Sequence, residues 1–212
     1  MSELIHKKEW YHKLDLCGTV TPGIHDPRDT ELSMGFPKSF KGKRVLDVGC
    51  ADGYYSFAAE KLDASEVVAI DEREWGSKTA KALLDSKVQF RIMSVYDLSP
   101  EKNGLFDIVI LFGVLYHLKH PLLALEKIRA VCREYCLVES YVEAIENSIY
   151  PVMRFFPNYE LNRDGTNWWG PNLACLGSMI KSAGFRPEFI YCHNSRACFK
   201  AHVNDLVECG LG

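Results

Sequence analysis

Three carboxylates and a Tyr-His pair carry the chemistry that can be read from this chain. Asp47 and Asp52 flank a glycine turn in KRVLDVGCADGYYSF, Asp71 closes a second apolar run, EVVAID, and Tyr116 and His117 follow a third, FDIVILFG. Histidine has an ordinary pKa close to neutrality, so His117 is the first choice for a general base, with Glu139 and His25 behind it. A base of this kind serves an acceptor hydroxyl, whereas an amine or enolate already offers its electron pair. Tyr116, His117 and Glu139 are the expected catalytic residues. The alternative for Tyr116 and His117 is a hydrogen-bonded structural role.

These residues need elements to hold them. A strand ending at Asp47, a loop carrying Gly49 and Gly53, and a helix entered near Phe57 form the opening unit of a doubly wound sheet. The glycines let a ligand lie against bare main chain, and the helix aims its free N–H groups at it. The spacing is DxGxxxG and departs from the GxGxxG of dinucleotide sites. Two carboxylates repel a pyrophosphate and suit a ligand with a cationic end, such as the ammonium and sulfonium of S-adenosylmethionine. Asp47, Gly49, Cys50, Ala51, Asp52 and Gly53 are therefore expected to bind that cofactor rather than NAD. Asp71, about 20 residues beyond the first strand, is placed to accept hydrogen bonds from a ribose diol. Ser94 and Val95, after the strand VQFRIM, fall by position at the adenine ring. Phe112 and Gly113, at the end of the strand beside the switch point of the sheet, are further expected cofactor contacts.

With 212 residues and 47% hydrophobic content, the chain can bury one full core. Residues 41–212 read as the cofactor-binding domain and residues 1–40 as an N-terminal arm or lid. Residues 141–171 form a substrate-side insertion rich in aromatic and polar side chains, as functional loops of this length often are. His25, Tyr150, Arg154, Asn167, Trp168 and Trp169 are the expected substrate contacts. The net charge of −3 offers no global attraction to nucleic acid. No apolar run approaches membrane-spanning length and MSELIHKKEW lacks a signal-type apolar core, so a cytoplasmic protein without a membrane partner is expected. The eight cysteines form no CxxC pair, which points to reduced thiols and no metal site. FRPEFIYC and RACFKAHV, joined by HNS, read as a terminal β-hairpin. The fold class is then α/β, a doubly wound, seven-stranded, mostly parallel sheet with a C-terminal antiparallel hairpin.

VLDVGCADGYYSF, VVAID, FDIVILFGVLYHLKHP and TNWWGPN with LGSMIKSAGF resemble the class I S-adenosylmethionine-dependent methyltransferases over about residues 42–200. DVGCADGYY, GVLYHLKHPL and the aromatic-Pro-Asn entry to the last helix resemble, within them, the tRNA wobble-uridine carboxymethyltransferases acting on 5-hydroxyuridine. The resemblance implies a Rossmann-like sheet and cofactor contacts at Gly49, Asp71 and Tyr116. That subgroup holds a carboxylated donor with basic residues, including an arginine before the Asn-aromatic pair; Thr166 stands there in this chain. LCGTVTPGIHDP also replaces its lysine-rich and tryptophan-rich upstream segment. Ordinary S-adenosylmethionine is therefore the expected donor, used for in-line methyl transfer to a small-molecule hydroxyl or amine in a site shielded from water. A tRNA-modifying methyltransferase is the alternative, and a non-catalytic cofactor-binding module the third reading.

Overall fold

RVLDV, EVVAID and FDIVILF are short, apolar and rich in β-branched residues, as strands covered on both faces must be. They pair at the centre of a seven-stranded sheet in the computed structural model, which describes residues 5–29, 33–144 and 149–203. The arm carries the short pair β1 (Asp15–Leu16) and β2 (Thr19–Val20). The sheet unit follows as β3 (Arg44–Val48), α1 (Tyr54–Lys61), β4 (Glu66–Asp71), α2 (Ser77–Leu83), β5 (Gln89–Ile92), α3 (Pro100–Asn103), β6 (Phe106–Phe112), α4 (Pro121–Val131) and β7 (Cys132–Tyr141). The insertion contains β8 (Met153–Phe155) and β9 (Trp169–Pro171), and the described chain closes with α5 (Leu173–Ser182), β10 (Phe185–His193) and β11 (Arg196–Val203).

The strand order is β10-β11-β7-β6-β3-β4-β5. Neighbours from β7 to β5 run parallel, while β11 lies antiparallel to both β7 and β10. The α/β class, the doubly wound order and the antiparallel terminal hairpin agree with the sequence reading. From β3 the chain winds outward one way through β4 and β5, then returns to β6 and winds the other way. The C-terminal ends of β3 and β6 therefore diverge and open a crevice between them.

Alternation along each strand splits the apolar side chains between two layers. Leu46, Val48, Val109 and Leu111 face Leu125, Ile128, Leu176 and Ile180 from α4 and α5. Val45, Ala69, Ile108 and Ile110 face Phe57 from α1 together with Ile5, Trp10, Leu16 and Phe40. The arm thus supplies part of one core layer. The sequence suggests a short helix through Trp10 and Tyr11; among the described residues helical conformation there is confined to residues 5–6, and His12 bridges to His25 instead. The insertion is a β8–β9 pair rather than a plain loop. Among the described residues no helix is long and apolar enough to cross a membrane.

Candidate functional site

The first turn is shaped by Gly49. Its φ is +70°, and a Cβ there would lie 2.3 Å from Val114 Cγ2, so only glycine lets the loop after β6 close against the loop after β3. The N–H groups of Gly49 and Cys50 both donate to the Ile70 carbonyl, at 2.8 and 3.1 Å, which ties the turn to the end of β4. Above these strand ends lies a cavity of about 1030 Å³. That is the upper end of the usual range for ligand sites, roughly 300–1,000 Å³, with room for two small ligands. Its floor comes from Asp47, Val48, Gly49 and Ala51, one wall from Ile70, Asp71, Met93 and Val95, and the other from Phe112, Gly113, Tyr116 and His117. The insertion adds Asp164, Thr166 and Trp168, and the arm adds Tyr11 and His12.

Two of the acids lining this cavity stand on β3 and at the end of β4. Asp47 is buried, and its Oδ2 accepts the Ser56 hydroxyl at 2.5 Å. Burial pushes its pKa up to about 6, against the opposing pull of Ser56 and His12. Asp71 accepts the Ala51 N–H at 3.0 Å through Oδ2, and the Arg73 N–H at 3.1 Å and Trp75 Nε1–H at 3.4 Å through Oδ1. These bonds fix the carboxylate at the strand end and still leave acceptor capacity, since a carboxylate offers about four lone-pair sites.

On the opposite wall the protonation of His117 is set by its neighbours. Its Nδ1 lies 3.2 Å from the Thr166 carbonyl oxygen and 2.9 Å from Thr166 Oγ1. A carbonyl only accepts, and the single hydroxyl proton of Thr166 is donated to Asp164 at 2.7 Å. Nδ1 must therefore carry the proton, leaving the lone pair on Nε2. Burial also lowers the pKa of His117 from the ordinary 6.5, outweighing the Thr166 carbonyl and the charge of Asp164, so the ring is neutral at pH 7.

Behind this wall Arg196 makes two bonds to Glu139, Nε to Oε1 at 2.5 Å and Nη2 to Oε2 at 2.6 Å. The guanidinium carbon lies 4.9 Å from the Tyr116 ring centroid. Burial raises the Tyr116 phenol above its usual 10, so it stays protonated. The insertion is stitched to this loop by the Trp168 N–H donating to the Tyr116 carbonyl at 2.8 Å. Lys119 Nζ lies 4.6 Å from the centroid of the Trp168 ring.

Several expected site residues lie elsewhere. Asp52 is buried against the arm and does not line the cavity. Gly53, with φ of +93°, serves the turn by packing against Phe90 and Phe57. Cys50 borders a separate hollow of about 140 Å³ beside Asp71. Ser94 turns to Glu72 at 3.0 Å and leaves its place on the wall to Val95. Glu139 is neutralised by Arg196 and is off the cavity wall, so it is not placed as a base. His25 packs its ring against Tyr11 and His12 rather than lining the cavity. Tyr150 is 72% exposed, and Arg154 reaches Glu143 and the Phe156 ring. Asn167 is buried in the insertion and donates to the Leu161 carbonyl at 3.0 Å, and Trp169 donates to the Lys119 carbonyl at 3.2 Å. Of the expected substrate contacts, only Trp168 lines the cavity. The sequence reading placed no site role on Tyr11, Thr166 or Arg196, since each reaches the site through contacts distant along the chain.

The cavity fits an adenosyl donor with a cationic end. A glycine cradle that a Cβ would fill, a held carboxylate at the end of β4 and a buried acid on the floor are the features such a molecule requires.

Comparison with known proteins points the same way. Residues 28–186 match the family described as Methyltransferase domain. The chain is 32% identical over 152 residues to the tRNA U34 carboxymethyltransferase of Pseudomonas aeruginosa, covering 68% of this chain and 45% of that one. It spans about half the length of the curated relatives of that name. Among solved structures, the N-terminal domain of EvdMO1, crystallised in the presence of SAH and D-fucose, has a TM-score of 0.70 at 18% identity, covering 96% of this chain and 94% of that one. The 1,6-didemethyltoxoflavin-N1-methyltransferase of Burkholderia thailandensis, with 1,6-didemethyltoxoflavin and S-adenosylhomocysteine bound, has a TM-score of 0.58 at 17% identity, covering 84% of this chain and 76% of that one. At these identities the two structures share the fold.

Proposed function

The chain belongs to the methyltransferase family and uses S-adenosylmethionine, and we propose that it transfers the methyl group in line to a hydroxyl or amine of a small molecule. When bound, the cofactor supplies an electrophilic methyl carbon on a sulfonium. Asp71 would hold the ribose, Asp47 and the main chain at Gly49 the cationic end, and Val95 with Met93 the adenine. His117 Nε2 takes the proton of an acceptor hydroxyl, while the Nδ1–H, Thr166 and Asp164 chain keeps the ring in the required tautomer. Tyr116, protonated and with its ring under the Arg196 guanidinium, offers its hydroxyl to orient the acceptor. Trp168 and Phe112 supply apolar walls that exclude water around the reacting atoms. The single observation that carries this reading is the one tautomer of His117, set by Thr166 and Asp164, in the lining of an acid-lined cavity.

A tRNA acceptor is the second reading, favoured by the 32% identity to the tRNA U34 carboxymethyltransferase. Release of S-adenosylhomocysteine, followed with panels of small hydroxyl and amine acceptors and with tRNA, separates the two. Turnover of a small acceptor that is insensitive to salt supports the first. Turnover of tRNA alone, falling steeply as salt rises, replaces it with the second.

A further inference from the structure

Asp52 sits in the motif turn but serves the arm. Fully buried, it accepts the backbone N–H of Tyr11 at 2.8 Å and of His12 at 2.7 Å through Oδ2, and its Oδ1 lies 2.5 Å from His12 Nδ1. Three polar groups of one short segment thus converge on one carboxylate. The segment is also zipped to the return of the arm: Lys13 N–H donates to the His25 carbonyl at 2.8 Å, His25 N–H to the Tyr11 carbonyl at 3.0 Å, and the Thr21 hydroxyl to the His12 carbonyl at 2.6 Å. A Cβ on Gly23 would fall 2.1 Å from the His12 carbonyl oxygen, so the two arm strands meet as closely as backbone allows.

This bracing delivers one side chain to the cavity. The Tyr11 ring stands 6.4 Å from Trp75, whose indole is bonded to Asp71, and 5.7 Å from His25. Tyr11 and Tyr116 line the same cavity. Tyr11 thus lines the cavity together with Asp71, Tyr116 and His117, and it is 39% exposed. None of the bonds that pin the segment uses the Tyr11 hydroxyl.

We propose that Asp52 is a positioning residue that clamps the arm to the cofactor turn, and that Tyr11, so placed, forms the outer wall of the donor site and contacts bound S-adenosylmethionine. The proposal rests on the methyltransferase reading. It also gives the arm a stated role: the clamp couples occupancy of the donor site to order in residues 10–25.

The test is amide hydrogen exchange on the full chain, paired with calorimetric titration of S-adenosylmethionine, for the wild type, Asp52→Asn and Tyr11→Ala. Asp52→Asn is expected to speed exchange at the Tyr11 and His12 amides at least tenfold and to weaken donor binding by a similar factor. Tyr11→Ala leaves the buried clamp intact. It is expected to melt with the wild type while binding the donor about tenfold more weakly, and donor is expected to slow arm exchange in the wild type. Unchanged exchange in Asp52→Asn, or wild-type donor affinity in Tyr11→Ala, overturns the proposal alone. A wild type that binds no donor overturns the methyltransferase reading and the proposal together.

Discussion

His117 Nδ1 is held between two oxygens of Thr166, 2.9 Å from the hydroxyl and 3.2 Å from the carbonyl, and Asp164 takes the hydroxyl proton. The chain leaves the ring one orientation and one basic atom. Replacing His117 by Gln keeps a polar side chain and removes the base, so kcat for a hydroxyl acceptor should fall about 10²–10⁴-fold while donor affinity stays at the wild-type value. Thr166→Val keeps the carbonyl contact and should cost less. Because burial lowers the His117 pKa, the acid limb of kcat should lie below pH 6.5: the ring protonates and activity is lost as pH falls through it. A pH profile of single-turnover rates reads this directly.

Asp47 gives a second pH signature, of the same origin and the opposite direction. Its carboxyl is held near a pKa of about 6 by burial, against 3.8 when unfolded. The folded state then binds the proton more tightly, so stability declines as pH rises from about 4 to about 6 and is flat above. The full shift corresponds to roughly 3 kcal/mol. A cationic ligand favours the ionised form, so donor binding should tighten as pH rises through about 6, with proton release. Asp47→Asn should flatten that dependence, as calorimetry in two buffers of different ionisation heat would reveal.

Gly49→Ala tests the close approach of the two loops. The new Cβ would meet Val114 Cγ2 at 2.3 Å, and Val114 is β-branched and stiff at χ1. The left-handed φ adds about 1–2 kcal/mol of backbone cost. The variant should melt several degrees lower and bind the donor at least tenfold more weakly; wild-type affinity would mean that the turn is not the cradle.

The Glu139–Arg196 pair should behave as structure supporting Tyr116. Glu139→Gln leaves the guanidinium without its counter-charge. Arg196 is about a third exposed, so the loss should fall below the roughly 3–5 kcal/mol of a fully buried broken pair. Adding Arg196→Met should restore part of the melting temperature. Full activity and stability in Glu139→Gln would contradict this role.

The strand, glycine turn and helix around Asp47 and the acid ending β4 were legible in the sequence because each is local: apolar runs, turn residues and strand ends lie within a few positions of each other. What escaped the sequence is long-range. Asp52 and His12 meet across 40 positions and Glu139 and Arg196 across 57, and no periodicity reports which acid turns to the cavity and which to an arm. The same limit hid the Ser94 hydroxyl's bond to Glu72 and the course of most of the insertion. Its aromatic residues advertise a pocket, while β8–β9 pairing decides that Trp168 alone of the expected set lines it.

The central claim, that the crevice above residues 47–53 takes S-adenosylmethionine with Asp71 on its ribose, is tested most directly by calorimetric titration of the wild type and Asp71→Ala. The expected result is one saturable site for the donor, none for NAD, and affinity at least tenfold weaker in the variant, in line with about 1.5–3 kcal/mol for a hydrogen bond to a charged group. Equal affinity in both proteins, or no binding to the wild type, would contradict it.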